Sequence, residues 1–281
     1  MKKGLILEGG AMRGLFTAGV TDVMMEEKIT FDAMIGVSAG AAFGCNYKSG
    51  QIGRARRYNK KYCRDKRYCS LHSLITTGDL YGADFCYRKL PEELDLFDNE
   101  AFEKNPMEFY VVCTDVNTGK AVYKKIEDSR VGLQWFRASA SMPLVSRIVE
   151  IDGEKYLDGG IADSIPVKFF EKEGFTRNVV VLTRPKGYIK KKSSLMPLIR
   201  CAMRKFPKMA EAMANRHKIY NETTAYIEEK EKKGEILVIR PSKPLPVKRT
   251  EKNPENLEKA YQAGREEAKK RIEEIKEFLS R

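Results

Sequence analysis

The chain has 281 residues, a formal net charge of +13 and 42% hydrophobic content, enough to bury a sizeable core as one large domain or one domain with an appendage. No apolar run approaches the ~18 residues a membrane span needs, and Met1-Lys2-Lys3 leads directly into a strand-like run instead of a signal-peptide core, so a soluble, cytoplasmic protein is expected. The six cysteines (Cys45, Cys63, Cys69, Cys86, Cys113 and Cys201) lack C-x-x-C pairs or histidines at metal spacing, which argues for reduced thiols and against a zinc site or other metal, although Cys63 and Cys69 lie among Lys and Arg, surroundings that lower a thiol pKa.

The first element is a short apolar run, Lys3 to Glu8, which empties into the glycine-rich turn Gly9-Gly10-Ala11-Met12-Arg13-Gly14 and then a helical stretch, Leu15 to Met25. A glycine turn at a helix start leaves several N–H groups unpaired and pointing one way, a cradle for negative charge. Dinucleotide binding and acyl transfer both use such a cradle, the first for a pyrophosphate and the second for the alkoxide of a tetrahedral intermediate. The dinucleotide pattern fits less well: Ala11 stands where its second glycine belongs, and Asp32 enters a strand instead of ending one. Arg13, a cation at a helix start, works against the helix dipole and so asks for a partner. A carboxylate that braces the loop is the commoner use and an anionic head group the alternative. Glu8 is assigned no chemistry.

A second apolar run, Ala33–Val37, leads into Gly36-Val37-Ser38-Ala39-Gly40 and a further helix-like stretch. Glycines two residues either side of a serine on a strand-to-helix turn let the backbone bend tightly and push the hydroxyl out at the tip. Strand-like runs recur at Phe109–Cys113 and Val179–Thr183, so the fold class is α/β, with a sheet sandwiched by helices. Between them, residues 150–156 read as a hairpin around Asp152-Gly153, which would present Asp158 at a strand end, followed by Gly159 and Gly160. By itself Asp-Gly-Gly is a common turn.

The trio Gly-Gly-x-x-Arg-Gly (Gly9 to Gly14), Gly-x-Ser-x-Gly (Gly36 to Gly40) and Asp158-Gly159-Gly160 resembles the patatin-like phospholipase family in order and spacing over about the first two-thirds of the chain. The stretch Arg137-Ala138-Ser139-Ala140-Ser141-Met142-Pro143 is similar to the family's small-residue segment ahead of the Asp motif. The resemblance implies a largely parallel, three-layer fold and a lipid ester substrate. It also implies a catalytic dyad, with Ser38 as nucleophile, Asp158 as base, and backbone N–H groups of Gly9, Gly10 and Ala11 as the oxyanion hole. It implies no cofactor. Ala11 replaces the loop's third glycine, and an alanine offers its N–H without strain only at negative φ.

Histidine scarcity supports a dyad independently. Only His72 and His217 exist, and although Ser38, Asp158, His217 follows the α/β-hydrolase order, the thirty-seven residues before Ser38 hold room for only two strands and one helix. His217 sits in a polar helical stretch and His72 at a loop or helix start, so both read as non-catalytic.

Basic residues cluster at Arg54–Arg67 and again at Arg184–Lys208. Such clusters suit peripheral contact with an anionic membrane, and the alternative is a solvated basic face. No nucleic-acid-binding signature accompanies them, and none is expected as a partner. Past residue 185 the texture changes, which divides the chain into a catalytic domain (1–185) and a basic, mainly helical C-terminal region (186–281) packed on it or appended to it. There Leu195, Ile199, Ala202, Phe206, Met209 and Met213 form an apolar stripe interrupted by Pro197 and Pro207, predicting two short helices that meet near Pro207. The stripe suits docking on a core; its methionines also permit a lid. Glu235–Ile239 reads as another strand, and Asn253-Pro254-Glu255 caps one closing amphipathic helix through Leu279. The expected activity is serine acyl-ester hydrolysis. An acyltransferase with the same elbow, or a non-catalytic binder of an anionic ligand at the Gly9–Gly14 cradle, remains open.

Overall fold

A computed structural model describes residues 1–281. Its eight strands are β1 (Lys2–Leu7), β2 (Ala33–Val37), β3 (Glu108–Asp115), β4 (Ala121–Lys125), β5 (Val149–Ile151), β6 (Glu154–Asp158), β7 (Phe175–Val181) and β8 (Ile236–Ile239). They form one sheet, in which β3, β2, β1, β7 and β8 are parallel neighbours in that order, and β4, β5 and β6 pair antiparallel. The central stretches of the parallel strands, such as Leu5–Leu7, Ala33–Val37 and Val179–Val181, are apolar because both faces are covered there.

The helices are α1 (Gly14–Glu26), α2 (Ala39–Lys48), α3 (Arg54–Tyr62), α4 (Leu71–Thr77), α5 (Asn99–Lys104), α6 (Ser129–Ser139), α7 (Val167–Lys172), α8 (Met196–Ala202), α9 (Pro207–Lys232), α10 (Pro254–Lys270) and α11 (Ile272–Ser280). Side-chain alternation along each strand sorts them into two layers. Leu5, Leu7, Met34, Val179 and Val181 point to a core built with α1, α2, α5, α6, α10 and α11. Ile6, Ile35, Val37 and Val180 point to the opposite core, where Phe170 of α7 and Tyr220 and Ile227 of α9 close over them. The fold is thus the expected three-layer α/β sandwich.

The region after residue 185 adds β8 to the same sheet and lays α10 across α1. That crossing is close because glycines face backbone on both sides. A Cβ on Gly19 would sit 2.1 Å from the Tyr261 carbonyl oxygen, and one on Gly264 would sit 2.0 Å from that of Phe16.

Two helical expectations need correction. The second helix at Pro207 is not short: α9 runs 26 residues, with Pro207 at its first turn, where a missing N–H does no harm. The closing segment is two helices, α10 and α11, broken at Arg271; α11 buries Ile275, Phe278 and Leu279 in the sheet's core, and the Arg271 guanidinium donates to the Val238 carbonyl on β8. The predicted stripe is docked only in part: Ile199, Met209 and Met213 are buried against Val116, Leu157 and Ile161, but Leu195 and Ala202 are exposed, and Met196 and Met203 take the buried positions beside them. Cys63 and Cys69 also depart from expectation, since both are buried and burial pushes their thiols up, not down. No helix is long and apolar enough to cross a membrane.

Candidate active site

Strand β3 brings Ser38 and Asp158 together. Residues Tyr110–Val112 pair with β2 on one side and β4 on the other, whereas Cys113 and Thr114 pair with β4 and β6. Strand β6 therefore takes up the edge of β3 where β2 leaves off. Because β2 is parallel and β6 antiparallel to β3, the two run head-on, one ending at Val37 opposite Val112 and the other at Asp158 opposite Cys113. The chain must leave the sheet sharply at both ends.

Ser38 makes its turn with φ 54° and ψ −121°, a conformation that side chains rarely adopt. The glycines flanking it serve another purpose: a Cβ on Gly36 would lie 2.5 Å from the Ala41 nitrogen, and one on Gly40 would lie 2.4 Å from the Leu7 carbonyl oxygen. They let α2 lie close to β2 and β1, while the serine itself carries the strained dihedral. Its N–H donates to Ser139 Oγ at 2.8 Å, and Ser139 Oγ donates to the Val112 carbonyl at 2.7 Å. The Ser38 side chain is partly accessible and stands at the N-terminus of α2.

Asp158 is only 3% exposed. Its backbone N–H donates to the Ser141 carbonyl at 2.7 Å, its carbonyl accepts from Thr114 Oγ1 at 2.8 Å, and its Oδ1 accepts from the Gly160 N–H at 2.7 Å. Gly159 allows the turn to pass over β3, since a Cβ there would lie 2.1 Å from the Val112 carbonyl oxygen. Burial raises the Asp158 pKa above the usual carboxylate range; Arg216, the nearby Ser38 side chain and the Gly160 N–H act against that rise.

The Gly9–Ala11 loop leans on the same spot: a Cβ on Gly9 would lie 2.8 Å from the Val37 carbonyl oxygen and 3.0 Å from Ser38 Cβ. A Cβ on Gly10 would meet Thr183 Oγ1 at 2.8 Å. The amides of Gly9, Gly10 and Ala11 donate to no protein acceptor, so the loop can receive a negative charge. Ala11 has φ 49°, so the strain that its sequence position raised is present. Gly14 lets α1 start tightly, with Phe43 ring atoms 2.9 Å from where its Cβ would be.

Arg13 does not pair with a carboxylate, contrary to the bracing expectation. Its guanidinium lies over Gly10, its buried Nε has no partner, and its pKa is pushed down to about 10 by burial, then by Arg184, with Glu8 opposing and Arg249 adding to the fall. The brace is Glu8, which sequence reading passed over. It is buried and accepts from the Thr183 N–H at 2.6 Å, Thr183 Oγ1 at 3.1 Å and the Tyr220 hydroxyl at 2.9 Å, tying the loop to the end of β7 and to α9. Arg216 also went unnoticed; its Nε donates to the Gly160 carbonyl at 2.5 Å. Ser139 lies in the small-residue segment, which was its only signal.

A cavity of about 950 Å³ opens over Ser38, Asp158 and the glycine loop, its walls half apolar. His217 lines it without a hydrogen bond to either residue, and His72 is exposed on α4. No three His, Cys, Asp or Glu side chains converge to hold a metal.

The molecule is thus an α/β sandwich that brings a serine on a strained elbow toward a buried aspartate. Residues 5–170 match the family model for patatin-like phospholipase, and the chain belongs to that family. Residues 206–280 match a second model, described as a domain of unknown function (DUF6363). Among similar proteins are the uncharacterized protein YjjU of Escherichia coli, 30% identical over 86% of this chain and 69% of its own length, and an uncharacterized NTE family protein of Mycobacterium bovis, 26% identical over 58% and 44%. Lysophospholipase NTE1 of Coccidioides immitis is 28% identical over 58% of this chain but only 10% of its own. The solved structure of VipD from Legionella pneumophila is similar over 98% of this chain and 67% of its own, with a TM-score of 0.47 at 11% identity. Family membership supports a lipid acyl hydrolase activity.

Proposed function

We propose that the protein is a serine acyl-ester hydrolase acting on lipid or related acyl esters through a Ser38–Asp158 dyad and the Gly9–Ala11 oxyanion loop. The observation that carries this reading is the head-on meeting of β2 and β6 on β3, which sets a strained, accessible serine beside a buried carboxylate. Ser38 Oγ attacks the ester carbonyl carbon and its proton passes to Asp158. The carbonyl oxygen becomes an alkoxide that accepts from the unpaired loop amides, each worth ~3 kcal/mol in the transition state. Collapse expels the alcohol, which takes the proton back from Asp158, and water then repeats the sequence on the acyl-serine.

An unperturbed aspartate is a poor acceptor for a serine proton, and burial of Asp158 narrows that gap. Residues 1–185 carry the dyad and the loop, and 186–281 complete the cavity wall. Exposed Ile189, Leu195 and Leu198 beside the exposed Lys191 and Lys192 suit contact with an anionic bilayer from which a lipid would enter.

A fluorophosphonate probe tests the reading. Labelling of the wild type and not of Ser38→Ala, with release of free fatty acid from an ester, is expected. No labelling of folded protein would favour an unreactive anion binder, and acyl transfer to added alcohol in preference to water would make it an acyltransferase.

A further inference from the structure

Among the nine Lys and Arg residues that line the cavity, Arg13, Arg184, Lys190, Arg216 and Arg249 come from four separate stretches of chain. None of these five forms an ion pair with a carboxylate, although the protein makes many such pairs elsewhere. The cavity's carboxylates are Glu8, Asp158 and the exposed Glu92. Glu8 is already occupied by Thr183 and Tyr220, and Asp158 faces Ser38. The cations crowd one another: burial pushes Lys190 down to about 7, with Arg216, Arg13 and Arg249 adding to the fall and Glu8 opposing it. Arg249 is exposed at the rim, but Arg13, Lys190 and Arg216 are largely withdrawn from water, and such positive charges without ion-pair partners in one cavity are a liability unless a multiply charged anion completes the set.

Two aromatic rings next to these cations each face one of them: Tyr188, which lines the cavity, and the buried Tyr220 beside it. Lys190 Nζ sits 4.0 Å from the Tyr220 ring centre, and the Arg184 guanidinium carbon 4.4 Å from that of Tyr188. Glu8 is engaged and these two rings already face a cation, so this wall offers little to a quaternary ammonium head. Guanidinium forks, by contrast, match the oxygens of a phosphate.

Building on the hydrolase reading, we propose that the preferred acyl substrate carries a phosphate monoester, whose dianion seats on Arg13, Arg184, Lys190, Arg216 and Arg249 while the ester carbonyl reaches Ser38. Arg216 and Arg13 join the two functions, one lying on the Asp158–Gly160 turn and the other on Gly10.

The test has a binding arm and a turnover arm. Calorimetric titration of Ser38→Ala with glycerol 3-phosphate and with glycerophosphocholine should show binding of the first only, weakened about tenfold by Arg249→Gln or Lys190→Gln. Wild-type kcat/KM should favour lysophosphatidic acid over lysophosphatidylcholine of the same acyl chain by about tenfold or more, and both variants should bring that ratio toward unity. Hydrolysis without the preference overturns the head-group assignment and leaves the hydrolase standing. Phosphate binding with a preference absent means a free anionic ligand, which also overturns it. Phosphate binding without turnover of any ester instead refutes the hydrolase, and the substrate assignment falls with it. Retention of the full preference in both variants excludes these cations as its source.

Discussion

Replacing Ser38 separates the strain of the elbow from its chemistry. Its dihedrals, φ 54° and ψ −121°, lie where a Cβ is disfavoured and glycine is not. A residue held in such a region costs ~1–3 kcal/mol. Ser38→Ala keeps the Cβ and hence the strain, and the backbone N–H still donates to Ser139 Oγ. Ser38→Gly removes the strain but adds unfolded-state freedom worth ~0.5–1 kcal/mol. The glycine variant should therefore be more stable than the alanine variant by ~0.5–2 kcal/mol, a rise of a few degrees at most in melting temperature for a chain of this size. Both should be inactive. Urea titration of the two, fitted with a common slope, measures the difference. If Ser38→Ala equals or exceeds Ser38→Gly, the serine is not strained and the elbow is held by something other than its neighbours' over-determination.

Asp158→Asn should lower kcat by at least about 10³, as should Ser38→Ala, measured on a soluble ester with both variants folded. Since Asp158 works as a base when ionised and burial raises its pKa, activity should fall on acidification at a higher pH than an ordinary carboxylate would give; Arg216→Gln, by removing a cation that opposes the rise, should move that acid limb to higher pH still. An unmoved pH profile would refute the coupling. Asp22, buried and accepting from the Tyr261 hydroxyl and the Gly53 N–H through the same oxygen, has its pKa raised to about 6 from 3.8. The folded protein thus binds the extra proton between those values, so this group adds stability as pH falls from 6 to 4; Asp22→Asn should remove its share of that slope and stabilise the fold at pH 8 by up to about 3 kcal/mol in denaturant titrations. Gly264→Ala should destabilise by ~1–3 kcal/mol, because its methyl group would drive α10 off the Phe16 carbonyl.

The five parallel strands were legible because each contains an apolar run cut off by turn chemistry, and Asp152-Gly153 does form the tight hairpin its residues imply, with φ 52° and 80°; the half-exposed β4 went unread. The length of α9 was not, because beyond Met213 only Tyr220 and Ile227 are buried, a seven-residue step too sparse to register as a stripe among Glu and Lys. The site divides in the same way. Local motifs marked Ser38 and Asp158 separately, but their meeting depends on pairings of β3 with strands 120 residues apart, which no spacing encodes. Burial decided the remaining errors: it made Glu8 a brace, reversed the direction at Cys63 and Cys69, and left Arg13 without its carboxylate.

Charge shows the limit most clearly. Arg184 and Lys190 belong to a basic stretch that reads as a solvated face or a membrane patch, Arg216 to a polar helix and Arg249 to a loop. Read along the chain, each has water for a partner and needs no explanation. Only when β8 joins the sheet and α9 crosses its end do these segments surround Ser38, and only then do unpaired cations become informative. The same +13 excess that says nothing about specificity as a total therefore becomes, at one wall of one cavity, a statement about what the substrate must carry.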